Sequence, residues 1–304
     1  MVLGKEDSMK ASTSVLQDLR QDGIKVYDNS MIQSYISCPR AYYYRHILGL
    51  VPNTEALSYG LWFGQIGHGA MELWWKAKDD QEALKYFAEK FAPYAEPPNY
   101  SKKTGKELAA TYTVLYGCSL LSAYFNKYRQ DSREVVEVEL PLAEEIADRV
   151  FMCGRIDKIV RSKTGYVFCD YKFTKYMHDF QTNPNPQFMN YKMLTQKLTG
   201  EKVTGELDIL GVSKTKDASE LLRREPVDYT PHQMEEWRRS VLGHIRQMGV
   251  CEETGYYPQT WRCKPFFRDC TWLPLCTLPN MDSHDKLLAT MYKEERWDPF
   301  MVTD

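Results

Sequence analysis

The sequence predicts an α/β fold with a central mixed β-sheet flanked by helices. Two observations carry this. Three strand-patterned runs follow one another near residues 134–142, 149–160 and 165–173, rich in β-branched and aromatic residues. A helical run at 186–199 and a further strand near 203–213 come next, and strands, helix, strand in that order give a mixed sheet.

The elements follow in chain order. Residues 1–29 are polar and loosely patterned, and read as an N-terminal arm. Helices are expected at 31–48, 57–77, 80–92 and 106–130, with residues 95–103, which include Pro97-Pro98, as a linker between the last two. The run 166–173 is opened by Gly165, at the end of a turn through Ser162-Lys163-Thr164. Asn183-Pro184-Asn185-Pro186 is a stop-and-start signal before the helix at 186–199. Residues 215–228 read as a charged loop and 231–249 as a helix. The domains implied are the arm at 1–29, a helical region at 30–133 and an α/β core at 134–250. A C-terminal cysteine-containing segment at 251–304 is expected to pack back on the N-terminal helix.

With 304 residues, 43% hydrophobic and 13% aromatic, the chain can bury a large core as one elaborate domain or two. A net charge of −2 excludes a global basic field. Nucleic-acid binding would then rest on local clusters such as Lys102-Lys103 with Lys106, Arg223-Arg224 and Arg238-Arg239, although such runs are most often solvated faces. No signal peptide or membrane-spanning run is legible, so a cytoplasmic protein without a membrane is expected. In a reducing compartment, eight cysteines do not imply a disulfide framework. Cys118, Cys153 and Cys169 sit among apolar residues and read as inert thiols, and Cys251 has no evident role.

The hairpin carries the chemistry. Asp170 and Lys172 share one face of their strand, because side chains two apart point the same way. Antiparallel pairing about the 162–165 turn sets residues whose numbers sum to about 327 opposite each other, which brings Asp157 beside Asp170. Two carboxylates that close repel unless a cation lies between them. With the backbone carbonyl of Tyr171 they suit Mg²⁺ or Mn²⁺. Such an ion polarises phosphate and activates water, and Lys172 would offset developing negative charge. Taken alone, Asp-x-Lys is common and reads better as a weak surface ion pair; Asp157 within Gly154-Arg155-Ile156-Asp157 shifts the reading toward phosphodiester hydrolysis.

These residues resemble the PD-(D/E)XK nuclease superfamily, and most closely its RecB-like branch, with the AddB nuclease domain, CRISPR-associated RecB-like nucleases and phage exonucleases. The resemblance runs from about residue 30 to 276. It covers Ser30 to Tyr44 with Cys38-Pro39-Arg40, Gly64-Gln65-Ile66-Gly67-His68, Gly154 to Asp157, Asp170 to Lys172, Gln187 to Tyr191, and Cys263, Cys270 and Cys276. It implies a restriction-endonuclease-like core. It also implies His68, Asp157, Asp170 and the Tyr171 carbonyl as metal ligands, with Asp157, Asp170, Lys172, Gln187 and Tyr191 as catalytic residues. Glu72, one helical turn beyond His68, is a candidate for the outer shell. In some relatives one N-terminal and three C-terminal cysteines hold a [4Fe–4S] cluster, which points to Cys38, Cys263, Cys270 and Cys276. The spacing here departs from that pattern, in which the first two C-terminal cysteines are closer, and zinc or free thiols are the alternatives.

The function implied is a metal-dependent DNA nuclease, an exonuclease acting on DNA ends or single strands. Its setting would be phage or bacterial recombination, repair or degradation, with a recombination or repair protein as partner. The alternatives are a nuclease-fold DNA-binding module without cleavage, or a nuclease acting on RNA. Tyr42-Tyr43-Tyr44 could stack bases, but reads better as a packed helix face.

Overall fold

The computed structural model describes residues 23–53, 58–108, 110–177, 180–213, 215–264, 269–278 and 284–300. Most of the expected N-terminal arm, residues 1–22, lies outside them. The first elements are β1 (Lys25–Asp28), α1 (Asn29–Ser37), α2 (Pro39–Tyr42) running into a π-turn (Tyr43–Ile47), β2 (Leu50–Pro52), α3 (Tyr59–Ala77) and α4 (Asp80–Phe91). Then come β3 (Asn99–Tyr100), β4 (Glu107–Leu108), α5 (Val114–Tyr128), β5 (Glu134–Ala147), β6 (Val150–Ser162) and β7 (Gly165–Thr174). The chain continues through α6 (Pro186–Thr199), β8 (Val203–Gly211), β9 (Leu222–Val227), α7 (Pro231–Thr254), α8 (Leu273–Cys276), α9 (His284–Met291) and β10 (Tyr292–Glu294). These form two compact units, one from residues 57–140 and 155–229, the other from the remainder.

The first unit holds the sheet that the sequence predicts. β6 and β7 are antiparallel with Lys158 opposite Cys169, the register the 162–165 turn dictates. β7 and β8 are parallel, joined through α6, with Asp170 beside Leu207. β8 and β9 are antiparallel, and β5 lies against β6. The sheet is therefore mixed and the class α/β, as expected. Behind it α3, α4 and α5 bury Phe63, Trp74, Phe87, Phe91, Leu121 and Phe125 together with Tyr171 of β7.

In the second unit α7 buries Trp237, Val241, Ile245, Met248 and Cys251, and α1 buries Met31, Ile32 and Tyr35. Tyr35 and Cys251 join them side chain to side chain at 3.6 Å. β1 runs parallel to residues 150–153, and β10 pairs with β2. Tyr44, Trp272, Leu275 and Tyr292 form a small core. Tyr42 and Tyr44 are buried, the packed face anticipated for the tyrosine run.

Three expectations are corrected. The helix expected over 31–48 breaks at Cys38, which is extended (φ −162°, ψ 111°), because Pro39 excludes helical backbone from the residue before it. The helix expected from 106 begins at Val114, where the Thr113 hydroxyl caps the Tyr116 N–H at 3.1 Å, and residues 107–108 pair as a short strand with 99–100. The charged loop at 215–228 contains β9. Its Leu222 and Val227 are buried, and the charge of Arg224 is met across the sheet by Asp208 at 2.6 Å and by Asp131 at 3.0 Å. No helix among the described residues is long and apolar enough to cross a membrane.

Candidate active site

A missing side chain on α3 sets the site. A Cβ at Gly67 would lie 2.5 Å from the Phe173 ring, so only glycine lets α3 come this close to β7. The next residue, His68, then reaches the hairpin, its Nδ1 3.4 Å from Asp157 Oδ2. A Cβ at Gly64, one turn earlier, would meet Phe173 only at an ordinary 3.8 Å. Asp157 is fixed from the other side by the Tyr171 N–H, which donates to Oδ2 at 2.7 Å. The β6–β7 register ends with Lys158 opposite Cys169, and Asp157 and Asp170 are the next residue on each strand. Lys172 Nζ stands 2.9 Å from Asp170 Oδ2. From α6, whose first turn is capped by Asn185, Gln187 Nε2 donates to Tyr191 Oη at 2.9 Å and, at the long limit of 3.5 Å, to Asp170 Oδ1.

One residue escaped the sequence. Glu139 on β5 joins His68 and Asp157, and one ligand-capable atom from each lies within 4.8 Å of the others. Its backbone is left-handed (φ +52°), a conformation non-glycine residues adopt at a cost. Arg155 holds Glu139 Oε2 at 2.8 Å, while Oε1 is buried without a hydrogen-bond partner. Residues 134–147 contain five glutamates, and period-two alternation gives no reason to choose this one.

The electrostatics follow from burial and from the mutual repulsion of the clustered carboxylates. Burial pushes Asp170 up to about 6, with Asp157 adding and Lys172 opposing. Burial and Asp157 push Glu139 up to about 8. Burial works against a charge on His68, but Asp157 outweighs it and lifts the imidazole to about 9. Asp157 stays below the usual carboxylate range despite its burial, because His68, Lys172 and the Tyr171 N–H favour its anion. A cation between the carboxylates would relieve their repulsion. One imidazole with two or three carboxylates could hold Mg²⁺ or Mn²⁺, hard ions that prefer oxygen, the latter accepting nitrogen more readily.

Of the residues singled out in the sequence, His68, Asp157, Asp170, Lys172, Gln187 and Tyr191 come together here. Tyr171 contributes its N–H to Asp157 and its ring to the core. Glu72 pairs with Lys76, although its charge also acts on Glu139. Cys38, Cys263, Cys270 and Cys276 belong to the other unit, where all four line one cavity of about 30 Å³ with Ala41, Trp272 and Leu273.

Comparison with known proteins gives a family match. The sequence model of the PD-(D/E)XK nuclease superfamily matches residues 29–277. No curated protein matches the chain. Among solved structures, a candidate exonuclease from Eubacterium rectale is similar at 12% identity over 84% of this chain and 91% of that one, with a TM-score of 0.49. SSO0001 is similar at 10% identity over 82% and 92%, with a TM-score of 0.28.

Proposed function

The chain belongs to the PD-(D/E)XK nuclease superfamily, and from that membership we propose that it is a metal-dependent DNA nuclease of the RecB-like branch. Its action is exonucleolytic, on DNA ends or single strands, in recombination, repair or degradation. The supporting observation is the convergence of His68, Glu139, Asp157, Asp170 and Lys172 at one end of the hairpin. A divalent cation held by His68, Glu139, Asp157 and Asp170, with the Tyr171 carbonyl, would supply Lewis acidity at a phosphate oxygen and make water a better nucleophile. Lys172 keeps its proton: burial opposes the charge, and Asp170 and Asp157 outweigh it. Its ammonium donates to the phosphate oxygen on which negative charge grows. Gln187, steadied by Tyr191, holds Asp170 in place. The test is digestion of end-labelled linear and covalently closed DNA with Mg²⁺ or Mn²⁺. Linear DNA should be degraded and closed DNA spared. Cleavage that persists in excess chelator, or equal attack on both forms, overturns the reading.

Metal affinity follows pH in a definite direction. His68, near 9, and Glu139, near 8, each carry a proton at pH 7 without metal, and both must lose it to become ligands. Mn²⁺ should therefore bind more tightly as pH rises from 6 to 9, by up to about tenfold per unit for each proton displaced. Titration calorimetry at pH 7 in buffers of different ionisation heat should show proton release. Affinity that is flat over this range removes both residues from the ligand set.

The four cysteines carry a second part of the proposal. Residues from distant parts of the chain line one cavity, and the segment is tied by Cys270 N–H to Cys263 O at 2.8 Å. Four cysteines lining one cavity would, as thiolates, suit a [4Fe–4S] cluster, with zinc as the alternative. Anaerobically purified protein should be brown and lose its colour when Cys276 becomes Ser. Colourless anaerobic protein with neither iron nor zinc and four titratable thiols would falsify this part and leave the nuclease reading intact.

A further inference from the structure

The long helix α7 turns one face outward, with Arg238, Arg239, Ser240 and Arg246 exposed. Its inner face buries Trp237, Val241, Ile245, Met248 and Cys251. At 100° per residue, Arg239, Gly243 and Arg246 fall together on the opposite side, spaced i, i+4, i+7 and spanning about 10 Å of axis. With Arg238, Ser240, Leu242, Glu236 and Ala147 these residues border an open groove of about 690 Å³, apart from Gly243, which lies between its two outer arginines.

The charges are unbalanced. Three arginines and one glutamate line the groove. Arg239 is paired with Glu236 at 3.0 Å. Arg238 donates from Nη2 to the Ile146 carbonyl at 3.0 Å, which fixes the guanidinium, and is paired loosely with the exposed Glu235 at 3.7 Å. Arg246 is exposed and has no ion-pair partner among the described residues. A polyanion is the occupant that such a lining favours.

Gly243 gives the second, independent indication. Glycine inside a helix is destabilising relative to alanine. Such a residue is usually explained by a neighbour that approaches closely, yet among the described residues nothing lies within 4 Å of where its Cβ would stand. Among the described residues, the stretch of helix between Arg239 and Arg246 is uncovered at Gly243.

We propose that the α7 groove binds the sugar–phosphate backbone of a nucleic-acid strand, with Arg238, Arg239 and Arg246 on phosphates and Gly243 admitting the backbone against the helix. This rests on the reading of the chain as a nuclease and adds a binding site separate from the residues that hold the metal. Phosphate contacts of this kind position a strand and carry no sequence preference.

The test is fluorescence-anisotropy titration of full-length protein with labelled single-stranded and duplex DNA, over a range of salt. Arg239→Gln with Arg246→Gln should weaken binding about tenfold or more and lower the salt slope by about 1 per arginine. Lys163→Gln, which removes one positive charge from the exposed β6–β7 turn, should leave affinity near wild type. Glu236→Gln should tighten binding, since it frees Arg239. Gly243→Gln should weaken binding while the melting temperature holds or rises, a combination that a purely structural glycine would not give. Unchanged affinity and salt slope in the double variant, or an equal loss in Lys163→Gln, overturns the groove. An acidic protein as the true occupant would show as that outcome. Failure of the nuclease reading looks different: wild-type protein would cleave no DNA with Mn²⁺, yet its binding would still depend on Arg239 and Arg246.

Discussion

Asp157→Asn and Asp170→Asn lose cleavage by about 10³-fold or more, while the fold and DNA binding survive. The size follows from the several kcal/mol that a Lewis-acidic cation contributes to the transition state, at about 1.4 kcal/mol per tenfold in rate. Asparagine is the informative replacement. Its amide oxygen can still accept the Tyr171 N–H that Asp157 now receives at 2.7 Å, so the hairpin keeps its shape while the carboxylate charge is gone. Alanine would remove both and confound the result. Lys172→Ala should also lose most turnover yet keep metal affinity, because an ammonium does not coordinate. The measurements are initial rates in Mn²⁺, a metal titration and a melting curve for each variant. Near wild-type rates in Asp157→Asn would mean that the cation, if there is one, is held elsewhere.

Arg224→Leu costs about 3–5 kcal/mol of stability, the penalty for leaving a buried charge without its partner. Asp208 is 1% exposed. It accepts from Arg224 Nε at 2.6 Å and Nη2 at 2.8 Å, and from Tyr124 Oη at 2.6 Å. The same guanidinium reaches Glu206 and Asp131, each at 3.0 Å. These bonds tie β9, β8 and the approach to β5 together. The double substitution Arg224→Leu with Asp208→Leu should recover much of the loss, because a buried ion pair is often no more stabilising than apolar residues of similar size. Urea denaturation of the two variants and wild type decides this, and a single-variant cost below about 1 kcal/mol would show that water already reaches Asp208.

These two cases mark where sequence reading succeeds and where it stops. The hairpin register is legible because a short turn and a strict period of two leave one alignment that buries the apolar face. Asp157, Asp170 and Lys172 therefore stand close in the sequence's own logic, and the antiparallel pairing of Lys158 with Cys169 in the fold follows it. The helix at 186–199 is equally local: Asn185 caps it and Pro186 opens it. Two local signals were available and went unread, the break that Pro39 imposes at Cys38 and the Thr113 cap at the start of α5.

Other features depend on residues far apart in the chain. Arg223 and Arg224 read as solvated charge until β8 supplies Asp208 opposite Arg224. Glu139 is one of five glutamates in 134–147, and what selects it is a left-handed backbone turn, the Arg155 guanidinium and the arrival of α3 at Gly67. The sequence by itself determined the α/β class, the hairpin and the residue types that suit a divalent cation, because those depend on short-range periodicity and turn chemistry. Only the tertiary structure decided which carboxylates share a site, which charges are buried in pairs and which residues of α7 border its exposed groove, because proximity, desolvation and exposure are properties of the packed chain.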